Sequence, residues 1–166
     1  MLSRFPLASG APPAPSLHFT SISLIGAFLA IALIAWLSKV SGASWLMAPF
    51  GASCALAFGL PDSPLAQPRS IIGGHLISTL VGLVVLQLIG DTWWSAALAV
   101  GLALAAMQQT RTLHAPAGAN PLLVMATHPG FGFLLTPVLA GSLAIVGVAL
   151  CVNNIRHRGS YPRYWL

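Results

Sequence analysis

"HAPAGANP", residues 114–121, interrupts an apolar chain with two prolines and a glycine, and "APFGAS", residues 48–53, nearly repeats it. Setting Ala48-Pro49-Phe50-Gly51-Ala52-Ser53 against Ala115-Pro116-Ala117-Gly118-Ala119-Asn120 gives four identities in six positions. The sixth position holds a short polar side chain in both copies, Ser53 and Asn120. A proline inside a helix removes a backbone hydrogen bond and clashes with the preceding turn, so neither segment reads as a simple helix throughout.

The flanks decide what surrounds these two breaks. Apolar runs at 21–38, 70–90, 92–109 and 131–152 are each long enough to cross hydrocarbon as a helix. The segments 46–60 and 113–127 are shorter. About five extended residues at ~3.3 Å plus ten helical ones at ~1.5 Å still reach roughly 30 Å, one hydrocarbon thickness. The chain then divides as span, broken segment, span, twice over. Three crossings per half is an odd number, so the halves are inverted relative to each other. The expected fold is an all-α integral membrane protein: four long transmembrane helices plus two broken or half-helical segments in an inverted 3+3 repeat. The membrane domain covers 20–153, with halves 20–90 and 92–153, between a flexible tail at 1–19 and a basic cytoplasmic tail at 154–166.

Composition agrees. Hydrophobic residues make up 57% of the chain and charged residues 5%, against roughly 25% charged in a soluble domain. The net charge of +5 does not point to nucleic acid, because the basic residues lie between apolar runs rather than in a patch. Cys54 and Cys151 lie inside apolar runs and suggest neither a disulfide framework nor a zinc ribbon. The run 21–38 ends at Lys39 without a small-residue cleavage site and reads as an uncleaved first span.

Positive charge orients the spans, because short cytoplasmic loops collect Lys and Arg. Six crossings place Arg4, Arg69, Arg111, Arg156, Arg158 and Arg163 on one side and Lys39 alone on the other. Two re-entrant loops would split the same residues three against four, with no bias. Six crossings with both termini cytoplasmic, in a bacterial inner membrane, is therefore the expectation. Trp45, Trp93, Trp94 and Trp165 lie near run ends, where interface belts form, whereas Trp36 also fits a core position. Gly26, Gly82, Gly101, Gly141 and Gly147 permit close helix contact.

Inverted halves would bring helix N-termini at Gly51 and Gly118 together from opposite faces. Unpaired N–H groups there suit a small inorganic anion, and glycine admits it to the backbone. Gly51, Ala52, Ser53, Gly118, Ala119 and Asn120 are thus candidate anion-binding residues, although Ser53 and Asn120 also fit plain helix caps. His75, in "GGHLIST", and His114 are ionisable groups within apolar segments, fitting either an anion site or a satisfied packing role. Arg69 and Arg111 close two cytoplasmic loops and would attract anions as well as orient the chain. Asp62 reads as a turn residue able to pair with Arg69, and Asp91 as a turn between runs.

With these residues named, the chain resembles the HPP family of small integral membrane proteins. The resemblance covers about 20–153 and rests on "APFGAS", on "PDSPLAQPRSIIGGHLIS" (61–78) and on "HAPAGANPLLV" (114–124). The family's His-Pro-Pro signature stands here as His114-Ala115-Pro116, with the middle position changed. The resemblance implies four membrane helices and a nitrite-like anion transporter. No cofactor is expected. Two other readings stay open. One is a metal or haem protein using His75, His114 and His128. The other is a non-transporting scaffold whose small residues serve assembly. An enzyme is not expected, because the chain has no glutamate and its two aspartates lie at predicted loops. So few helices enclose little volume, so a homo-oligomer is expected on any reading.

Overall fold

Helix ends follow local chemistry. Ser16 Oγ accepts from the Phe19 N–H at 3.2 Å and starts α1 (Leu17–Ser41), which Gly42 ends at a left-handed φ of 69°. Pro49 sits in the first turn of α2 (Ala48–Gly59), where its missing N–H costs nothing. Pro68 does the same for α3 (Pro68–Ile89), after a 3₁₀ turn at Pro64–Ala66. Thr92 and Ser95 form a reciprocal capping box at the start of α4 (Trp93–Gln109). A second 3₁₀ turn, Ala115–Ala119, leads into α5 (Asn120–Thr127). The last stretch begins with irregular helical turns at Phe131–Leu139, bent at Thr136, and continues as α6 (Ala140–Arg156). The computed structural model describes residues 12–156 and 158–165. Expectations for residues 1–11, Arg4 included, and for positions 157 and 166 of the C-terminal tail lie outside them.

The protein is all helical, with no strand among the described residues. Among the described residues, three helical stretches are long and apolar enough to cross a membrane: Leu17–Ser41, Pro68–Ile89 and Phe131–Arg156. The expected fourth, over 92–109, forms as α4 but has only 17 residues, about 25 Å at 1.5 Å per residue. Capping at Thr92 and the turn at Thr110–Thr112 stop it at both ends. The two proline segments also differ from expectation. The first is a regular helix from Ala48, and the second is a 3₁₀ turn followed by a short helix from Asn120. Residues 17–19 belong to α1 rather than to a tail.

α1, α2 and α6 share the larger core, built on Ile34, Phe50, Cys54, Phe58, Ile145 and Ala149. α3, α4 and α5 share a smaller one, Val85, Ala99 and Met125. Of the five glycines placed at contacts, three are needed there. A Cβ at Gly26 would strike Phe58, one at Gly141 would strike Phe50, and one at Gly82 would lie 3.0 Å from Pro121 Cα. Gly101 and Gly147 face open space. Outward positions carry large apolar side chains, among them Leu24, Phe28, Leu88 and Leu102, which contact lipid in a membrane protein. Trp36 is 59% exposed and is not a core residue.

Hydrogen bonds gather the connections at two opposite ends. At one, Arg69 donates to the carbonyls of Arg111 (3.2 Å) and Thr110 (2.9 Å), capping α4, and the Tyr161 hydroxyl donates to Ala66 O at 2.8 Å. Asp62 pairs there with Arg163 and not with Arg69, because the C-terminal residues fold back over the 61–67 connection. At the other end Asp91 meets His128 at 3.2 Å, and residues 43–47 lie beside 127–137. Helices α1 to α6 run alternately between these ends. Arg69, Arg111, Arg156, Arg158 and Arg163 fall at the first and Lys39 at the second.

Candidate functional site

Four side chains expected to matter converge at the centre. α2 turns Pro49, Phe50, Ser53, Cys54 and Ala57 inward at helical spacing. α3 turns inward Ile71, Gly74, His75, Ser78, Thr79 and Gly82. His114 precedes the second 3₁₀ turn, and Asn120 opens α5. Ser53, His75, Thr79, His114 and Asn120 are all 0% exposed. The approach depends on Gly74, where a Cβ would lie 2.6 Å from His114 Cβ and 2.8 Å from Thr112 O. Only a residue without Cβ lets the 112–114 stretch of backbone lie this close to α3.

Ser53 Oγ stands 2.8 Å from His75 Nε2 and 2.8 Å from His114 Nε2. Donors and acceptors can be assigned from the outer partners inward. The Leu65 carbonyl only accepts, so His114 Nδ1 carries the proton and donates to it at 2.7 Å. A neutral His114 then accepts at Nε2, and Ser53 supplies that proton. With its single proton used, Ser53 accepts from His75 Nε2–H. His75 Nδ1 is left to accept from Asn120 Nδ2 at 3.0 Å. The amide cannot be reversed, because the same Nδ2 lies 3.1 Å from the His75 carbonyl oxygen. It also reaches Thr79 Oγ1 at 2.8 Å.

The result is a directed chain of neutral groups: Asn120 to His75 to Ser53 to His114 to Leu65 O. The Pro49 carbonyl, 2.9 Å from Ser53 Oγ, is the alternative acceptor for the same hydroxyl proton. Turning that one proton to Pro49 O would leave the His114 Nε2 lone pair without a donor. Asn120 Oδ1 is buried without a partner among the described residues, so the network has spare acceptor capacity. Edge-to-face contacts of Phe50 with His75 (5.1 Å) and of His75 with His114 (5.0 Å) hold the rings.

The other expected residues fall elsewhere. Gly51, Ala52 and Ala119 are exposed on the outer face, and Gly118 has no neighbour within reach of a Cβ. The helices begin at Ala48 and Asn120, not at Gly51 and Gly118, because each proline occupies a first turn rather than a break. Converging amide ends at those glycines are therefore not what assembles the site; side chains are. Arg69 is engaged with the end of α4, and Arg111 is exposed beside it at φ 57°. His128 lies at the opposite end on Asp91, so the three-histidine ligand set does not assemble. No cluster of three or more His, Cys, Asp or Glu fit to hold a metal occurs among the described residues.

Sequence reasoning passed over Thr79, Ser78 and the Leu65 carbonyl. Ser78 Oγ donates to Ala117 O and ties the 3₁₀ turn to α3. Ser78 and Thr79 stand three and four residues after His75, the spacing that puts them on its face. That signal was available in "GGHLIST". A carbonyl leaves no trace in residue type.

A family model described as "HPP, transmembrane region" matches residues 12–162. Two transmembrane proteins of Dictyostelium discoideum are similar to the chain. One is 39% identical over 166 residues, covering 93% of this chain and 58% of that protein. The other is 40% identical over 129 residues, covering 73% of this chain and 42% of that protein. The chain thus spans about half the length of these relatives. No solved structure matches it.

Proposed function

This chain belongs to the HPP transmembrane family, and from that premise we propose that it passes a small monovalent anion, nitrite by family resemblance, through a site at Ser53, His75, His114 and Asn120. The observation that carries the proposal is the burial of these four polar side chains at 0% exposure inside an apolar bundle with no carboxylate among them. Polar and ionisable groups in a membrane interior cost more than the apolar residues that would pack there, so their presence calls for a role. Hydroxyl, imidazole and carboxamide all carry N–H or O–H groups, which an entering anion would draw away from their present acceptors. An added proton turns one imidazole into a cation beside Ser53, so anion and proton together leave the site without net charge.

The two copies of the proline motif support an inverted repeat. Ser53 and Asn120, in register in the alignment, meet in one network through His75. The last helix of each half packs with the first two of the other, α6 with α1 and α2, and α3 with α4 and α5. On this reading six segments cross, and the arginine-rich end is cytoplasmic. Ala52, Ala55, Leu60 and Ala115 line a shallow apolar depression on the outer face, which suits packing against a second copy in a homo-oligomer.

Purified protein in liposomes should show saturable or conductive nitrite flux. Ser53→Ala and His114→Leu should each cut it at least about tenfold, the consequence of losing one hydrogen bond to a charged ligand. Gly101→Ala, on open helix surface, should leave it unchanged. No flux above that of empty vesicles under any proton gradient, or unimpaired flux in both site variants, would overturn the proposal.

A further inference from the structure

At the arginine-rich end, the start of α1, the 61–62 connection, the end of α6 and the returning C-terminal residues enclose a cavity of about 310 Å³. Ser16, His18, Asp62, Arg156, Ser160 and Arg163 contribute to its lining. The volume lies within the roughly 300–1,000 Å³ of small-molecule sites.

Arg156 is its anchor. Nη2 donates to Ser23 Oγ (2.7 Å), Phe58 O (3.0 Å) and, more weakly, Phe19 O (3.4 Å), while the guanidinium lies 4.0 Å above the Phe19 ring. Nε and Nη1 are buried with no partner among the described residues. Buried guanidinium N–H groups are rarely left unpaired, because each costs its full desolvation. Asp62, the only carboxylate lining the cavity among the described residues, is held by Arg163 Nε at 2.8 Å and does not bond Arg156. Two arginines against one engaged carboxylate leave the lining positive. The Ser16 hydroxyl, which only accepts from Phe19 N–H, adds a neutral donor, and the Ser160 hydroxyl, held to Asn153 O at 3.4 Å, can turn to add another.

We propose that this cavity binds a phosphate group. A tetrahedral oxyanion matches the fork of a guanidinium and takes hydroxyl donors around it. Asn153 Oδ1, also buried without a partner among the described residues, lines the same cavity and accepts from a P–OH or from a donor carried by the phosphate's substituent. The phosphate has two sources at this end of a membrane protein: an anionic phospholipid headgroup or free phosphate. The site is separate from the Ser53 network and does not rest on the transport reading.

The test uses the full chain in dodecyl maltoside micelles, which carry no phosphate. One series is titrated with inorganic phosphate against chloride at equal ionic strength, and a second has micelles carrying a minority of phosphatidylglycerol. Occupancy raises the unfolding midpoint. A rise with phosphate identifies the free ion as sufficient, and a rise with phosphatidylglycerol alone identifies the headgroup. Arg163→Gln and His18→Gln, both at exposed positions, should weaken the effective probe about tenfold each. Lys39→Gln at the opposite end should not. The proposal is overturned if neither probe shifts the midpoint, or if Lys39→Gln weakens the effect as much as the cavity variants do.

Discussion

Ser53→Ala is the sharpest perturbation of the central network, because one hydroxyl there satisfies two imidazoles. Its removal leaves the His114 Nε2 lone pair without a donor and the His75 Nε2–H without an acceptor, both in fully buried side chains. Each buried group left unpaired costs about 1–3 kcal/mol, so the variant should lose about 2–6 kcal/mol. The space vacated is that of one hydroxyl, too small for a water able to make two or more hydrogen bonds. The assay is equilibrium unfolding in detergent of wild type, Ser53→Ala, His114→Leu and the double variant. Because His114→Leu removes one of the two orphaned groups in advance, the double variant should cost about 1–3 kcal/mol less than the sum of the singles. A Ser53→Ala cost under about 0.5 kcal/mol, typical of an unremarkable surface change, would refute the reasoning. So would strict additivity.

The same assignment makes the two histidines opposite tautomers: ¹⁵N spectra should show His114 protonated at Nδ1 and His75 at Nε2, and a shared tautomer would break the directed chain. Gly74→Ala places a methyl against His114 Cβ and the Thr112 carbonyl at 2.6 and 2.8 Å. It should destabilise by about 1–3 kcal/mol. Gly101→Ala, with nothing near, should be neutral or stabilise by up to about 1 kcal/mol in the same melts. Tyr161→Phe removes the bond to Ala66 O and should cost about 1 kcal/mol at neutral pH. Burial pushes the Tyr161 phenol well above its ordinary value of 10.0. The unfolded chain therefore loses that proton first, and the wild type should lose stability as pH rises above about 10. The Tyr161→Phe variant should lack that part of the alkaline loss, as titrated unfolding midpoints would show.

Much of the architecture is written locally. A run of apolar residues marks a lipid-buried helix wherever it falls, so the positions of α1, α3 and α6 follow from composition. The arginines at one end follow from their spacing between runs. The polar members of the site were equally visible, since a histidine, serine or asparagine inside an apolar segment stands out by type. Which way each faces did not. Helices surrounded by lipid are apolar on every side, so periodicity separates core from surface poorly and the inward face of α2 cannot be told from its outer one.

Only packing decided that Ser53 turns inward while Gly51 and Ala52 turn out. Only packing brought Ser53 to residues 22 and 61 positions further along the chain. Gly74 made the second approach possible through a contact that no local pattern encodes, because the cost of a Cβ there depends on backbone from another segment. The sequence by itself determined what kinds of groups lie in the membrane and roughly where along each helix. The tertiary structure decided which of them meet, because a hydrogen bond depends on direction and on tenths of an ångström that residue order does not carry.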